Sequence, residues 1–338
     1  METTLLPEEH SLVCKGDIAY NMMRMWQGAS GRADQDGIIS PAYVVLAPKQ
    51  NIDSRYAAHL FKSKRMIFLF WAFSYGITGD RLRLYPKDVL KIPVTLPDLI
   101  KQRHIAAILT TWDRAIATTE ALIAAKEKRK KALMQRLLTG KVRFREFAGQ
   151  EWRTYRLGQL FKHRNERGRG DLPLVSITMA NGVVPRSEID KKDSSNDDKT
   201  RYLHICPGDV GYNTMRMWQG VSGISIIEGI VSPAYTICIP GPKVDAGFIG
   251  HFFKFTSIVH KFYCYSQGLV SDTWNLKFKH FSQIKVTIPS IEEQRVIAGV
   301  LSSADKELAA HRIALNALKE QKKGLMQQLL TGKVRVRT

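Results

Sequence analysis

Two long stretches of the chain carry apolar residues at alternating steps of four and three, a period typical of a helix that packs along one stripe. The first stretch begins after Asp98 and ends at Gly140, a glycine in the position expected of a helix C-terminal cap. The second begins near Ile291. Each has roughly forty residues, so each predicts a helix about 60 Å long, at about 1.5 Å per residue. The first seam consists of Ile105, Leu109, Trp112, Ile116, Thr119, Ile123, Lys126, Lys130, Leu133 and Leu137, and the second of Ile297, Leu301, Ala304, Leu308, His311, Leu315, Leu318, Lys322, Leu325 and Leu329.

Two seams of equal length in one chain are expected to pack on each other, and an antiparallel pair is the simpler geometry because a whole domain separates them. The alternative is that each helix packs on its own domain. Lys126, Lys130 and Lys322 stand where the pattern requires apolar residues. They indicate either a solvated helix end or a docking surface for another subunit.

Outside the two helices the pattern changes to short alternating or β-branched runs separated by glycine and proline, which is typical of strands. These runs are LVCKGDIAYN, IISPAYVVLAP and VLKIPVTLP before the first helix, KVRFREF directly after it, and LPLVSITM further on. The predicted fold class is α+β, with two strand-rich domains separated by two long antiparallel coiled-coil helices. The expected boundaries are 1–97 for the first strand-rich domain, 98–150 for the first helix and linker, 151–289 for the second strand-rich domain, and 290–338 for the second helix and tail.

The chain also repeats itself without a gap, each residue matching one 192 positions further on. Gly16–Gly31 and Gly208–Gly223 agree at 12 of 16 positions. The period is too long for a solenoid and indicates a duplicated domain followed by a duplicated helix. Residues 151–192 have no counterpart, so the first strand-rich domain is N-terminally incomplete relative to the second. The other matching runs are GIISPAY with GIVSPAY, at Gly37–Tyr43 and Gly229–Tyr235, and MQRLLTGKVR with MQQLLTGKVR, at Met134–Arg143 and Met326–Arg335.

The charge of the chain favours a nucleic-acid partner. Lysine and arginine number 51 against 31 acidic residues, which gives a net charge of +20. Phosphate neutralisation is the usual reason for such an excess, and two similar domains suit the approximate twofold symmetry of duplex DNA. The most apolar run, Met66–Ile77, is too short to span a bilayer, so no membrane is expected. The four cysteines form no C-x-x-C pair and are interpreted as reduced core residues of a cytoplasmic protein.

No catalytic constellation is visible in the sequence, and we expect a protein that is not an enzyme. Thr139-Gly140-Lys141 is similar to the tail of a phosphate-binding loop, but Val142 replaces the required serine or threonine. The chain has no glycine-rich S-adenosylmethionine loop and no N/D-P-P-F/Y tetrapeptide. The histidines lack H-x₃-H or H-E-x-x-H spacing, so no metal site is expected.

The two copies suggest which residues contact DNA. Basic residues shared by both copies are candidates for phosphate contacts, and a shared glutamine could meet an adenine edge. Only 6 of 29 positions agree between Ser63–Lys91 and Phe255–Gln283, so base readers are expected in the loops there, at 74–83 and 266–277, or at 32–36 and 224–228. Trp26 and Trp218 are interpreted as core residues. The shared candidates are Arg24, Gln27, Lys62 and Lys87 with Arg216, Gln219, Lys254 and Lys279, and the loop candidates are Tyr75, Arg81, Arg83, Tyr265, Gln267, Trp274, Asn275 and Lys277.

The combination of motifs resembles the specificity subunit of type I restriction–modification systems. The resemblance rests on the runs GDIAYN…MRMWQG…GIISPAY and their copies, the Q-R-x-I-A motif at Gln102–Ala106 and Gln294–Ala298, and long helices that end in LLTGKVR. It covers essentially the whole chain.

The resemblance implies a DNA-binding subunit without activity of its own, in which each strand-rich domain is a target recognition domain for half of a bipartite site. The two helices would form the spacer and the surface for two methyltransferase (modification) subunits, which restriction motor-nuclease subunits would join. S-adenosylmethionine, ATP and Mg²⁺ would belong to those partners. Two alternatives remain: a coiled-coil scaffold for protein partners, and the specificity domain of a truncated single-chain restriction–methylation enzyme.

Overall fold

The computed structural model describes residues 10–189, 198–269 and 273–336, which form two compact units. The first unit joins residues 10–123 to residues 310–336, and the second unit consists of residues 124–309 within the described ranges. Each of the two long helices therefore contributes one part to each unit.

The elements of the two units follow the same order along the chain. The strand-rich part of the first unit contains β1 (Ser11–Val13), β2 (Ile18–Asn21), β3 (Ser30–Arg32), β4 (Gly37–Ile39), β5 (Tyr43–Leu46), α1 (Ser54–Phe61), α2 (Lys64–Ala72) and α3 (Pro86–Val89). The first long helix is α4 (Leu99–Leu137). The second unit contains β6 (Arg153–Arg156), α5 (Leu157–Leu160), β7 (Phe161–Arg164), β8 (Val175–Thr178), β9 (Gly182–Pro185), β10 (Leu203–Ile205), β11 (Val210–Asn213), β12 (Ser222–Ile224), β13 (Gly229–Val231), β14 (Tyr235–Pro240), α6 (Ala246–Phe252), α7 (Thr256–Tyr265), α8 (Phe278–Phe281) and β15 (Lys285–Ile288). The second long helix is α9 (Ile291–Leu330).

The predicted long helices and their antiparallel packing are confirmed inside each unit. In the first unit Asp113 of α4 pairs with Lys322 of α9, and Glu120, two turns later, pairs with Lys319 at 2.6 Å. As the residue number rises along α4 it falls along α9, which is the signature of antiparallel helices. Gly140 follows α4 with φ +69°, a backbone conformation that glycine adopts without strain, and it caps the helix as predicted.

The lysines on the seam are paired with acidic residues of the facing helix. In the second unit Lys126 contacts Glu307 and Lys130 contacts Asp305, both at 2.5 Å, and Lys130–Asp305 is the repeat counterpart of Lys322–Asp113. All three lysines therefore have an acidic partner within their own unit. Half-exposed pairs of this kind add little stability, but they disfavour other registers of the helix pair.

The second unit is built around a four-stranded sheet in the order β12-β11-β14-β7. β10 pairs with β13, the hairpin β8–β9 packs its Val175, Ile177 and Val183 on that pair, and β15 pairs with β6. The main core lies between the sheet and the helices, where Tyr212, Phe253 and Phe281 are fully buried.

The first unit has the smaller sheet β3-β2-β5 and the pair β1–β4. The strand expected at VLKIPVTLP is wrong, because this segment starts at the last residue of α3 and continues as a turn and an irregular stretch without strand pairing. Its repeat counterpart, β15, is a strand only because β6 pairs with it, and β6 belongs to the segment that the first copy lacks. The strand expected at KVRFREF is also wrong, since Arg145–Phe147 forms a short 3-10 helix that buries Phe147.

The cysteines are free thiols, but the prediction that all four lie in the core is wrong. Cys238 of β14 is fully buried, Cys206 is half-buried, and Cys14 and Cys264 are exposed. None of the helices in the described ranges has the length and apolar character needed to cross a membrane.

A buried glutamine ties each strand-rich part to its long helix. Gln294, on the first turn of α9, accepts the Asp245 N–H at 2.9 Å and donates to the carbonyls of Lys243 at 3.0 Å and Pro289 at 2.9 Å. Gln102 makes the same three bonds in the first unit, to Asp53, Asn51 and Pro97. One side chain thus satisfies three backbone groups and fixes the loop before α6, or α1, against the helix start.

Replacing Gln294 with leucine is expected to destabilise the second unit by about 2–4 kcal/mol, because three buried backbone groups lose their partner at once. Urea unfolding, with hydrogen exchange read at β14, measures the effect. The matched control is Gln321→Leu, an exposed position on the same helix, which should leave the unfolding curve unchanged. Equal stability of the two variants would contradict the role given to Gln294.

Each unit also buries a histidine against its helix pair. His59 Nδ1 lies 3.7 Å from Asp113 Oδ2, and its Nε2 lies 3.4 Å from the Thr110 hydroxyl. His251 repeats this with Asp305 at 3.7 Å and Ser302 at 3.1 Å. Burial lowers the pKa of both imidazoles, an effect that the neighbouring aspartates only partly oppose.

We expect stability to fall as the pH drops below about 6.5, the ordinary histidine pKa. The unfolded chain then binds protons that the folded His59 and His251 still reject, so protons favour unfolding until the lower folded-state pKa values are reached. A chain that carries both His59→Gln and His251→Gln should show a flatter pH dependence of the free energy of unfolding, measured by urea unfolding from pH 7.5 downward. The exposed His104→Gln variant should keep the slope of the parent chain, and an unchanged slope in the double variant would refute the assignment.

Candidate nucleic-acid interface

The matching run MRMWQG forms the same tight turn and 3-10 helix in both units. Met25 is completely buried, Gly28 closes the turn with φ +82°, and the indole N–H of Trp26 donates to the Met23 carbonyl at 3.0 Å. These contacts leave the side chains of Arg24 and Gln27 exposed on the outside of the turn. The second unit repeats the arrangement, with Met217 buried, Gly220 at φ +83°, and Arg216 and Gln219 exposed.

Two of the four lysines predicted to contact phosphates, Lys62 and Lys254, have their ammonium groups beside a backbone carbonyl of their own unit. Lys62 Nζ donates to the Gly28 carbonyl at 2.7 Å, so its ammonium group is used to stabilise the turn. Lys254 Nζ lies 3.5 Å from the Met179 carbonyl. Partial burial lowers the pKa of both lysines. Lys87 and Lys279 are exposed on the short helices α3 and α8.

A divergent loop follows α2 or α7 and is closed by the same backbone bridge in both units. Tyr75 and Arg83 exchange N–H···O bonds of 3.1 and 3.0 Å, and their counterparts Gln267 and Asn275 do so at 2.8 Å each. Beyond the bridge, Leu84 is fully buried and its carbonyl accepts the Tyr20 hydroxyl at 3.3 Å. The backbone bridge that closes the loop is therefore common to both copies, although the residues within the loop differ.

In the first unit, five of the seven predicted residues line one cleft between the turn and this loop: Arg24, Gln27, Tyr75, Arg81 and Arg83. Lys62 and Lys87 do not line it. Asp80 is the acidic residue of the lining, so the cleft is predominantly basic. Guanidinium groups bind phosphates or guanine edges, an amide can bind adenine, and a tyrosine ring can stack on a base. The grouping supplies all three kinds of contact.

In the second unit, the tryptophan of the loop has a structural task. Trp274 packs edge-on against Trp218 at 5.3 Å and against Tyr263 at 4.9 Å between ring centroids. The amide nitrogen of Asn275 donates to the Gln267 carbonyl at 3.1 Å and to the Thr273 carbonyl at 3.2 Å, so this side chain is held within the loop. Tyr265, Gln267 and Lys277 are exposed.

Sequence reasoning missed two aliphatic residues of these loops. Ile77 is 100% exposed and its repeat counterpart Leu269 is 101% exposed, values that single them out as side chains without packing neighbours. Exposed aliphatic side chains at such positions can wedge between base pairs, a recurring device of DNA-binding proteins. The signal available in the sequence was an aliphatic residue retained at the same place in an otherwise divergent loop.

The second unit also contains a cluster of possible metal ligands, His204, Cys206 and Glu228, whose donor atoms lie within 4.8 Å of one another. Both ring nitrogens of His204 are already engaged, Nδ1 with Glu166 at 3.1 Å and Nε2 with Glu228 at 2.8 Å. The hydrogen bond from His204 lowers the pKa of Glu166. The cluster therefore works as a polar clasp that joins β10 to the 224–228 loop. In the first unit Leu12 replaces the histidine, so the clasp is not repeated.

The comparison with protein families decides the identity of this architecture. The family model described as the type I restriction modification DNA specificity domain matches residues 18–127 and 149–320, one match for each copy of the repeat. The chain belongs to this specificity-domain family. The duplicated turn and loop are thus the duplicated parts of two specificity domains.

Two curated relatives from Methanocaldococcus jannaschii are similar over most of the chain. The putative type I restriction enzyme MjaX specificity subunit is 28% identical, with 87% of this chain and 72% of the relative covered. The type I restriction enzyme MjaVIII specificity subunit is 25% identical, with 94% and 80% covered. These names agree with the specificity-domain family.

Solved structures show the same fold. The S subunit of a type I restriction–modification system from M. genitalium has a TM-score of 0.57 at 15% identity, with 95% of this chain and 84% of that chain covered. A chain from a study of complex assembly and conformational transition of a type I system has a TM-score of 0.56 at 18% identity, with 96% and 84% covered. The predicted fold class, with two strand-rich domains and two long antiparallel helices, is confirmed by these neighbours.

Proposed function

We propose that this chain is the DNA-recognising, non-catalytic specificity subunit of a type I restriction–modification complex, and that each strand-rich part reads one half of a bipartite site. The observation that carries the proposal is the repeated scaffold. Arg24 and Arg216 are exposed at the same place, beside loops that are closed by the same bridge but differ in sequence. A shared frame with different loops suits two readers of different half-sites on one duplex.

The division of labour follows from exposure and charge. Four exposed cations are suited to phosphate contacts, which position a protein on DNA without reading its sequence: Arg24, Arg216, Lys87 and Lys279. Gln27 and Gln219, with the loop residues, are suited to base edges. The net charge of +20 supports strong, salt-dependent binding.

We further propose that α4 and α9 form the spacer and the surface on which two methyltransferase (modification) subunits dock, with restriction motor-nuclease subunits joining that core. The target recognition domains would be residues 1–97 and 151–289. S-adenosylmethionine, ATP and Mg²⁺ would bind to those partner subunits and not to this chain. The partner subunits would contact the exposed faces of both helices, away from the paired lysines of the seam.

Exchange of the divergent loops tests the reading role. A chain in which residues 74–83 are replaced by the sequence of residues 266–275 should keep its fold, because the bridge at both loop ends is the same. Co-expressed with its methyltransferase subunit, it should methylate adenines in a bipartite motif with one half altered and the gap unchanged. Genome-wide single-molecule sequencing of methylated adenines reads both halves at once.

The parent chain in the same experiment is the control, with its own bipartite motif of fixed gap. If the complex forms and still methylates the same motif after the exchange, these loops do not read bases. Failure of the parent chain to bind any methyltransferase subunit would favour a scaffold for other protein partners.

Removing Arg24 and Lys62 should have different effects. Arg24→Gln is expected to weaken DNA binding at all sequences and to lower the salt dependence by about 0.9 in log–log slope, the value for one phosphate. Lys62→Met should mainly lower the stability of the first unit, since its ammonium already supports the Gly28 carbonyl. Fluorescence anisotropy at several salt concentrations, with thermal unfolding alongside, separates the two. Equal salt slopes for Arg24→Gln and the parent chain would exclude a phosphate contact.

A further inference from the structure

Within the described residues, several surfaces of the first unit are uncovered whose counterparts in the second unit are covered by residues 151–189. In the second unit β7 pairs with the outer edge of β14, with Arg164 opposite Ile237 and Phe161 opposite Pro240. β5 is the counterpart of β14, and no strand of the described residues pairs with its outer edge. An unpaired strand edge presents free N–H and C=O groups that can bind another extended segment.

A buried carboxylate lies beside this open edge. In the second unit the guanidinium of Arg164 binds Asp209 through two bonds of 2.7 and 3.2 Å, and Asp209 is 3% exposed. The counterpart Asp17 is also buried, and it accepts the Cys14 N–H at 2.9 Å just as Asp209 accepts the Cys206 N–H at 2.8 Å. Within the described ranges no arginine is paired with Asp17. The surface thus carries a negative charge in the place where the second unit receives a positive one.

Apolar side chains around the edge are uncovered in the same way. Ile38 is 63% exposed, whereas its counterpart Ile230 is completely buried, and the Ile230 N–H donates at 2.9 Å to the carbonyl of Pro173, in the segment that leads into β8. Val94 is 42% exposed, whereas its counterpart Val286 is buried in the strand that pairs with β6. The open area therefore extends over the places of β6, β7, β8 and β9.

The backbone keeps room for the hairpin. A side chain on Gly223 would come within 2.6 Å of Gly182 and 2.8 Å of Val183, so β9 can approach only because residue 223 is glycine. Gly31 is its counterpart, and a side chain there would meet nothing within 4 Å. The first unit retains the glycine that close approach of a hairpin requires.

We propose that this surface of the first unit, formed by the outer edge of β5 with Asp17, Ile38 and Val94, binds a polypeptide segment that supplies an arginine-bearing strand and an apolar β-hairpin. Its chemistry is that of residues 151–189. The arginine pairs with Asp17, the strand extends the sheet at β5, and the segment that leads into the hairpin pairs beside Ile38. The 151–189 segment of a second copy is a poorer occupant, because Leu157, Leu160 and Phe161 are buried in their own unit.

One residue tunes the fit of the hairpin. A Cβ at position 211 would come within 2.4 Å of the Ile177 Cδ1 atom, so the isoleucine side chain would have to shift. The first unit has Ala19 there. The bound hairpin should therefore either turn the side chain at the place of Ile177 away from Ala19 or carry a smaller residue there.

The test uses the full chain and a dye-labelled synthetic peptide of residues 151–189. Saturable binding is expected by fluorescence anisotropy, together with slower hydrogen exchange at Tyr43–Leu46 and no change at Tyr235–Pro240. Arg164→Gln in the peptide, or Asp17→Asn in the chain, should each weaken binding about tenfold or more, because each leaves one buried charge unpaired. The two changes combined should cost little more than either alone.

The exposed Asp34→Asn variant of the chain is the matched control and should bind the peptide like the parent. Because a free peptide loses entropy on binding, a second arm joins residues 151–189 to the chain ahead of His10 by a glycine–serine linker, which raises the effective concentration to the millimolar range. A higher melting temperature that depends on Asp17 and Arg164 supports the proposal.

Absence of binding in both arms, or binding indifferent to Asp17 and Arg164, would overturn the proposal. A dimer of the unmodified chain in light scattering, with Tyr43–Leu46 already protected, would overturn it in favour of a second copy as occupant. The proposal concerns folding of the first unit, so its failure leaves the proposed DNA recognition untouched, and the methylation experiment tests that separately.

Discussion

The architecture depends on one repeated constraint, the buried glutamine at the start of each long helix. Gln102 and Gln294 each bond two backbone groups of the loop before α1 or α6 and the carbonyl of the proline just ahead of the long helix. An apolar residue of the same size would leave those groups without partners in a region closed to water, at a cost that no neighbouring contact offsets. The position of the helix start therefore fixes the position of the sheet, and through the sheet it fixes the turn and the loop that carry the candidate DNA contacts.

The sequence predicted the long-range features because they follow from periodic patterns. The heptad seam gave the bounds of α4 and α9 closely, and Gly140 ended the first helix as expected. Strands were less predictable, since a strand exists only when a partner pairs with it. VLKIPVTLP and its copy in β15 have similar β-forming character, yet only β15 is a strand, because β6 lies beside it. A pattern confined to one segment carries no information about a missing neighbour.

The candidate site was predictable in outline but not in the role of each residue. The repeat separated a shared turn from a divergent loop, and the cleft of the first unit does bring Arg24, Gln27 and Tyr75 together. Whether a polar group points outward or inward depends on local packing. Lys62 had the same apparent standing as Arg24 in the sequence, but it lies beneath the turn and binds a carbonyl. Trp274 similarly packs its ring against Trp218 and Tyr263. These distinctions arise from tertiary contacts that no single-position pattern encodes.

The division of the long helices between the units has a consequence for synthesis. The first unit needs residues 310–336, since Leu329 belongs to its core and Lys322 pairs with Asp113. On the ribosome, the part made first must therefore wait for the part made last, whereas the second unit has all its residues available earlier. Domains that emerge whole generally fold as they appear. Here the order of folding is expected to be the reverse of the order of the two copies, and the strands of the first copy stay unprotected until residues 310–336 have been made.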